Sequence, residues 1–231
     1  MSRNSKAKRD RKVVKMKAGP KTIKSVPFFA NLDDTHCFQA SIGMVLKYFT
    51  PATIYSWKSL DELTGKREGL WTWPLLAMVQ MKRLGFDVIY IDDFDLNQFS
   101  QQGYGYIKER CGEEFANAQG DHSDIPYEMK NAEIFLNEIG VTPRIPEIQD
   151  MVKLLEDGYL VICNVNGCML NGTTGYSGHF VVVYKINEGY IHLHDPGLPP
   201  HKARKVLQET FIASWAYPTV QDKNIMAFKF R

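Results

Sequence analysis

The chain has 231 residues, 44% of them hydrophobic, and a formal net charge of +2. No apolar run approaches the roughly 18 residues of a membrane span, and the N-terminus lacks the apolar core of a secretory signal, so a cytoplasmic protein is the expectation. Cys37, Cys111, Cys163 and Cys168 form no CxxC pair and are too sparse for a disulfide framework, which predicts reduced thiols.

The charge is unevenly distributed. Residues 1–24 hold ten of the 28 basic side chains and one of the 26 acidic ones, a balance of +9, leaving 18 basic against 25 acidic residues in the rest, a balance of −7. Like charges and few large apolar residues predict a disordered basic arm over 1–24, suited to an anionic partner such as nucleic acid or a membrane surface. No aromatic residue interrupts the charges, which argues against base stacking. Residues 25–231 are expected to form one domain.

Within that domain, Asp33, Asp34 and Thr35 are turn and helix-start residue types. After Cys37, apolar or small residues at Ala40, Ile42, Met44, Val45 and Tyr48 recur at helical spacing. A thiol in the first helical turn faces unpaired backbone N–H groups and the positive end of the macrodipole, where an anion is stabilised. Ser59–Thr64 reads as a short helix capped by Ser59, 73–84 as another that stops at Gly85, and Phe86–Ile91 as a strand. Residues 97–130 read as an insertion, with a helix over 106–118 and a loop over 119–125. Helical patterns return at 128–139 and 148–156.

Beyond Gly158 the pattern turns to strands at 159–165, 179–186 and 190–195, predicting an antiparallel sheet. A three-residue turn at 187–189 with Gly189 left-handed sets His179 opposite Gly197 and diagonal to Asp195 on one sheet face. A one-residue slip of register undoes that pairing.

Cys37, His179 and Asp195 therefore offer a thiol, an imidazole to exchange its proton and a carboxylate to orient the ring. Their separations are 142 and 16 residues. The stretches VPFFANLDDTHCFQASIGMVLKYF, GYLVICNVN, GHFVVVYKI and HLHDPG, followed by Phe211 and Trp215, resemble the papain-like cysteine peptidases of family thirty-nine, best known for bacteriocin-processing peptidases that cleave after a double glycine. That resemblance implies an α+β papain-like fold, in which a helical part carrying the cysteine packs on an antiparallel sheet carrying His and Asp. It implies Cys37 as nucleophile, His179 as general base and acid, Asp195 as its orienting partner and a peptide or protein as substrate, with no cofactor. The group's oxyanion-hole glutamine usually stands six residues before the cysteine, where this chain has Asn31. Phe38 stands where a glycine is common.

Three other readings accompany the peptidase. The same triad supports acyl transfer, because its chemistry ends at an acyl-enzyme. His192, His194, Asp195 and His201 cluster as HLHDPGLPPH and suggest a metal site, although the two strand histidines should face away from Asp195. A non-catalytic binding module using the basic arm is the third.

Overall fold

A computed structural model describes residues 25–231; the expected disorder and anionic partner of the arm fall outside the described residues. The helical part comprises α1 (Cys37–Phe49), α2 (Trp57–Thr64) and α3 (Leu75–Arg83), then strand β1 (Phe86–Asp92), then α4 (Leu96–Gln102), α5 (Tyr104–Cys111), α6 (Glu113–His122) and α7 (Ile125–Glu138). After β2 (Thr142–Pro143) and α8 (Ile148–Glu156) come β3 (Leu160–Asn166), the one-turn α9 (Gly167–Leu170), β4 (Gly178–Asn187), β5 (Tyr190–Asp195), β6 (His201–Leu207), α10 (Gln208–Trp215) and β7 (Asn224–Phe230). No helix among the described residues is long and apolar enough to cross a membrane.

One sheet organises the chain, in the order β2-β1-β7-β3-β4-β5-β6. Its pairings are antiparallel except for the short β1–β2 contact. The middle strands are buried on both faces, which explains why β3 and β4 read as continuous apolar runs rather than as alternations. Along β3, Leu160 and Ile162 join the core shared with α1, α3 and the α4–α7 helices, whereas Val161, Cys163 and Val165 join the core shared with α8 and α10. The fold is α+β: the helix that begins at Cys37 packs on the sheet strand that begins next to His179.

Several expected boundaries move. The second helix starts at Trp57 and is capped by Ser56, whose Oγ accepts the Ser59 N–H at 3.1 Å, so Ser59 is its recipient and not its cap. The helix expected from Trp73 begins at Leu75, because Pro74 occupies its N-cap. Residues 106–118 are not one helix. Gly112, at φ 88°, breaks the run into α5 and α6, and α6 continues to His122 where a loop was expected.

Candidate active site

The site is assembled from the start of α1, the start of β4 and the end of β5. Ahead of α1 the chain makes a tight polar turn. Asp33 Oδ1 accepts from Thr35 N at 2.7 Å and from Thr35 Oγ1 at 2.8 Å, and lies 2.7 Å from His36 Nδ1. Burial opposes the Asp33 charge, but the His36 contact and the two Thr35 bonds outweigh it and bring its pKa down to about 2. The other His36 nitrogen is 3.3 Å from Asp61 Oδ1, so a ring clamped between two carboxylates sits at the N-cap of α1, immediately before Cys37.

Asn31 completes this turn. Its Oδ1 accepts from His36 N at 3.0 Å and from Asp33 N at 3.3 Å, supplying the helix start with the acceptor that the N-cap side chain does not provide. That use of Oδ1 orients the amide so that Nδ2 is the group left to donate.

His179 is the second residue of β4, and its backbone N–H donates to Asn164 Oδ1 at 3.2 Å. The ring nitrogen Nε2 lies 2.7 Å from Asp195 Oδ1. Asp195 is 2% exposed, and its Oδ1 also accepts the Gly197 N–H at 2.9 Å. Burial works against a positive His179, but the Asp195 bond and then the Cys37 thiol overcome it, lifting the ring to about 9. For Asp195, burial likewise opposes ionisation, and the His179 bond leads the contacts that hold it down at about 2. With Nε2 engaged by Asp195, Nδ1 is the ring nitrogen left to meet another partner. Cys37, His179 and Asp195 thus stand together, with Asn31 beside them at the entry to α1.

The sheet register that permits this differs from the expected one in detail. Asn187 pairs with Tyr190, so the β4–β5 turn has two residues, Glu188 and Gly189, both left-handed at φ 52° and 79°. A one-residue bulge at Tyr184 then shifts the pairing back. The net effect brings Gly197 against the His179 ring: a Cβ on Gly197 would lie 3.2 Å from Nε2 and 2.9 Å from Asp195 Oδ1.

Arg204 also meets this cluster and had no signal in the sequence, and His194, expected as a candidate metal ligand, is engaged otherwise. Arg204, on β6, donates from Nη1 to Asp195 Oδ2 at 2.6 Å. His194 turns away from the pair: Nε2 donates to Val26 O at 2.9 Å and Nδ1 accepts the Ala203 N–H at 3.0 Å. Both of its nitrogens are therefore engaged by backbone, and among the described residues no group of three His, Cys, Asp or Glu side chains is arranged to hold a metal ion.

A cavity of about 390 Å³ adjoins Cys37 and Gly178 and extends under α5 and α6. Its walls include Trp73, Phe94, Phe115 and Tyr176. The far side holds Asp92, whose carboxylate accepts from Tyr90 Oη at 2.5 Å and Phe94 N at 2.7 Å, and which burial raises to about 6. Arg110 lies there over the Phe94 ring, 5.6 Å from its centroid.

Three solved structures are similar. One is the peptidase domain of Streptococcus ComA, described as a bifunctional ABC transporter involved in a quorum-sensing pathway, at 16% identity over 89% of this chain and 99% of that chain, with a TM-score of 0.49. Another is a double-glycine-motif protease from an AMS/PCAT transporter in complex with a leader peptide, at 13% identity over 93% and 99% of the two chains and a TM-score of 0.47. The third is a C39-like peptidase from Bacillus anthracis, at 14% identity over 89% and 95%, with a TM-score of 0.47. No protein-family model and no curated protein matches the chain.

Proposed function

We propose that this protein is a cysteine peptidase that cleaves peptide bonds through an acyl-enzyme on Cys37. The observation that carries the reading is the His179–Asp195 pair, 2.7 Å apart with Asp195 buried, on the sheet against which the helix begun by Cys37 packs. A carboxylate holding Nε2 leaves Nδ1 to exchange a proton with the thiol, which supplies a nucleophile, a base and an orienting group.

In the reaction, the Cys37 sulfur attacks the scissile carbonyl carbon while His179 carries the thiol proton. Negative charge develops on the carbonyl oxygen. The Cys37 backbone N–H, unpaired at the helix start, and Asn31 Nδ2 are the donors suited to receive it. Collapse of the tetrahedral species breaks the C–N bond, and His179 gives its proton to the departing amine. Water, deprotonated by the now neutral His179, attacks the thioester, and the released acid leaves Cys37 free. Asp195 keeps the ring oriented throughout. The aromatic-walled cavity beside Cys37 is large enough to hold a bulky substrate side chain next to the scissile bond.

The decisive measurement is cleavage of a mixed peptide library, read by mass spectrometry, for the wild-type protein and for Cys37→Ala, His179→Ala and Asp195→Asn. The wild type should cleave, the first two variants should not, and the third should keep residual activity because an amide can still hold the ring. Full turnover by His179→Ala would overturn the reading.

A further inference from the structure

Asp195 presents an electrostatic problem that His179 alone does not solve. The carboxylate is almost fully buried, and a buried charge is tolerated only when it is paired and hydrogen-bonded. In the cycle proposed above, His179 alternates between cation and neutral ring, so for part of each turnover it offers Asp195 a hydrogen bond but no charge. A guanidinium, unlike an imidazole, is a permanent cation in proteins.

The contacts of Arg204 are those of a clamp. Nη1 donates to Asp195 Oδ2 at 2.6 Å and to Asn171 Oδ1 at 2.7 Å, and Nη2 donates to Leu170 O at 2.7 Å. The two Asp195 oxygens are thereby divided, with Oδ2 given to Arg204 and Oδ1 to His179 and Gly197. Leu170 and Asn171 close α9, whose first residue, Gly167, approaches His179 so closely that a Cβ there would meet the His179 Cβ at 3.2 Å. Arg204 consequently fastens both the carboxylate and the turn against which the imidazole rests.

The backbone leading to Arg204 is itself held in an unusual state. Arg204 stands opposite Leu193, and between this pair and Asp195–His201 the β5–β6 ladder carries an extra residue on β6. Ala203 lies in that bulge at φ 54°, a left-handed conformation that residues with a Cβ seldom adopt, and its N–H is received by His194 Nδ1. Backbone strain of this kind persists only where the surroundings impose it.

We propose that Arg204 is a positioning residue, which keeps Asp195 ionised and directed at His179 whatever the charge on the ring. The role of Arg204 in turnover rests on the peptidase reading; its hold on Asp195 does not.

Arg204→Met and Arg204→Lys test it through two readouts. The first needs no substrate: the NMR resonance of the His179 Nε2 proton, bonded to Asp195, is followed as pH falls. Without the guanidinium, burial is less well opposed and Asp195 takes up a proton sooner, so in Arg204→Met the resonance should be lost at a pH about one unit or more above wild type. Arg204→Lys, which keeps the charge but cannot reach all three acceptors, should fall between. The second readout is peptide turnover. In Arg204→Met kcat should fall roughly tenfold with KM little changed. Should Arg204→Met fail to fold, Arg204→Lys carries the test alone. An unshifted resonance in a folded variant overturns the proposal. A shifted resonance in a protein that cleaves no peptide supports Arg204 as the holder of Asp195 and removes the peptidase reading instead.

Discussion

The backbone N–H of Asn31 donates to the carbonyl oxygen of Pro196 at 2.8 Å. This bond joins the segment that enters the Cys37 helix to the residue just after Asp195, so the Cys37 side and the Asp195 side of the site are fastened directly and not only through the sheet. His194 adds a second fastening through Val26 O. The placement of Cys37 relative to His179 therefore depends on contacts made by residues other than Cys37, His179 and Asp195.

Cys37 is expected to be the first cysteine alkylated in the native protein. Cys163 is fully buried, and burial pushes its thiol well up; Cys111 is also raised by burial. Brief iodoacetamide treatment followed by peptide mapping reads this directly. Earlier labelling of Cys111 or Cys163 would contradict it.

Replacing Gly197 with alanine is expected to lower turnover by about tenfold or more while leaving the fold intact. The new methyl carbon would lie within 3.2 Å of His179 Nε2 and 2.9 Å of Asp195 Oδ1, at the bond that orients the ring. A misplacement of this order in a catalytic pair typically costs up to ~100-fold. Kinetics paired with a melting curve separate this from unfolding; wild-type kcat in Gly197→Ala would show that the pair yields without loss.

Asn31 has two separable duties. Its Oδ1 serves the start of α1, and Asn31→Ala should cost about 1 kcal/mol of stability, as removal of a helix cap does. If Nδ2 also stabilises the oxyanion, kcat should fall by ~100-fold or more with KM little changed. Asn31→Asp tells them apart: it retains the acceptor for His36 N–H but loses the donor, so it should keep stability and lose turnover. Stable, fully active Asn31→Asp would assign the residue to the turn alone.

Glu128 predicts a pH dependence unconnected with catalysis. It is buried on α7, and burial raises its carboxyl to about 7, against the opposing bond from Asn131 Nδ2 at 3.1 Å. A carboxyl whose folded pKa exceeds its unfolded value binds more protons when folded, so stability falls as pH rises from the unfolded value of about 4.3 toward 7 and stays reduced above that. Glu128→Gln should therefore raise Tm by a few degrees at pH 8 and leave it nearly unchanged at pH 4. Equal Tm changes at both pH values would refute the assignment. The His179–Asp195 pair loses stabilisation at both ends of the pH range: for His179, as for Glu128, when pH rises, here through about 9, and for Asp195 in the other sense, as pH falls toward about 2.

Local chemistry made much of this protein legible in its sequence. The helical spacing after Cys37, the apolar runs of β3 and β4, the strand 190–195 and the helix 148–156 all follow from side-chain periodicity and turn residues, which act over a few neighbours. Cys37, His179 and Asp195 stand out as candidates on chemical grounds alone, since few residue types can serve as nucleophile, base and orienter. Periodicity could not reveal the actual register. The two-residue turn at Glu188–Gly189 and the bulge at Tyr184 together have the same offset as a three-residue turn, and the bulged Tyr184 ring packs on His194 of the next strand, 4.9 Å between centroids. Long-range folding alone decided that Arg204 meets Asp195, that Asn31 receives the His36 N–H, and that helices drawn from 97–130 cover the cavity beside Cys37. Each of these depends on the direction of a side chain across elements distant in the chain, and that direction is set by packing the sheet between two layers of helices rather than by the neighbours in sequence.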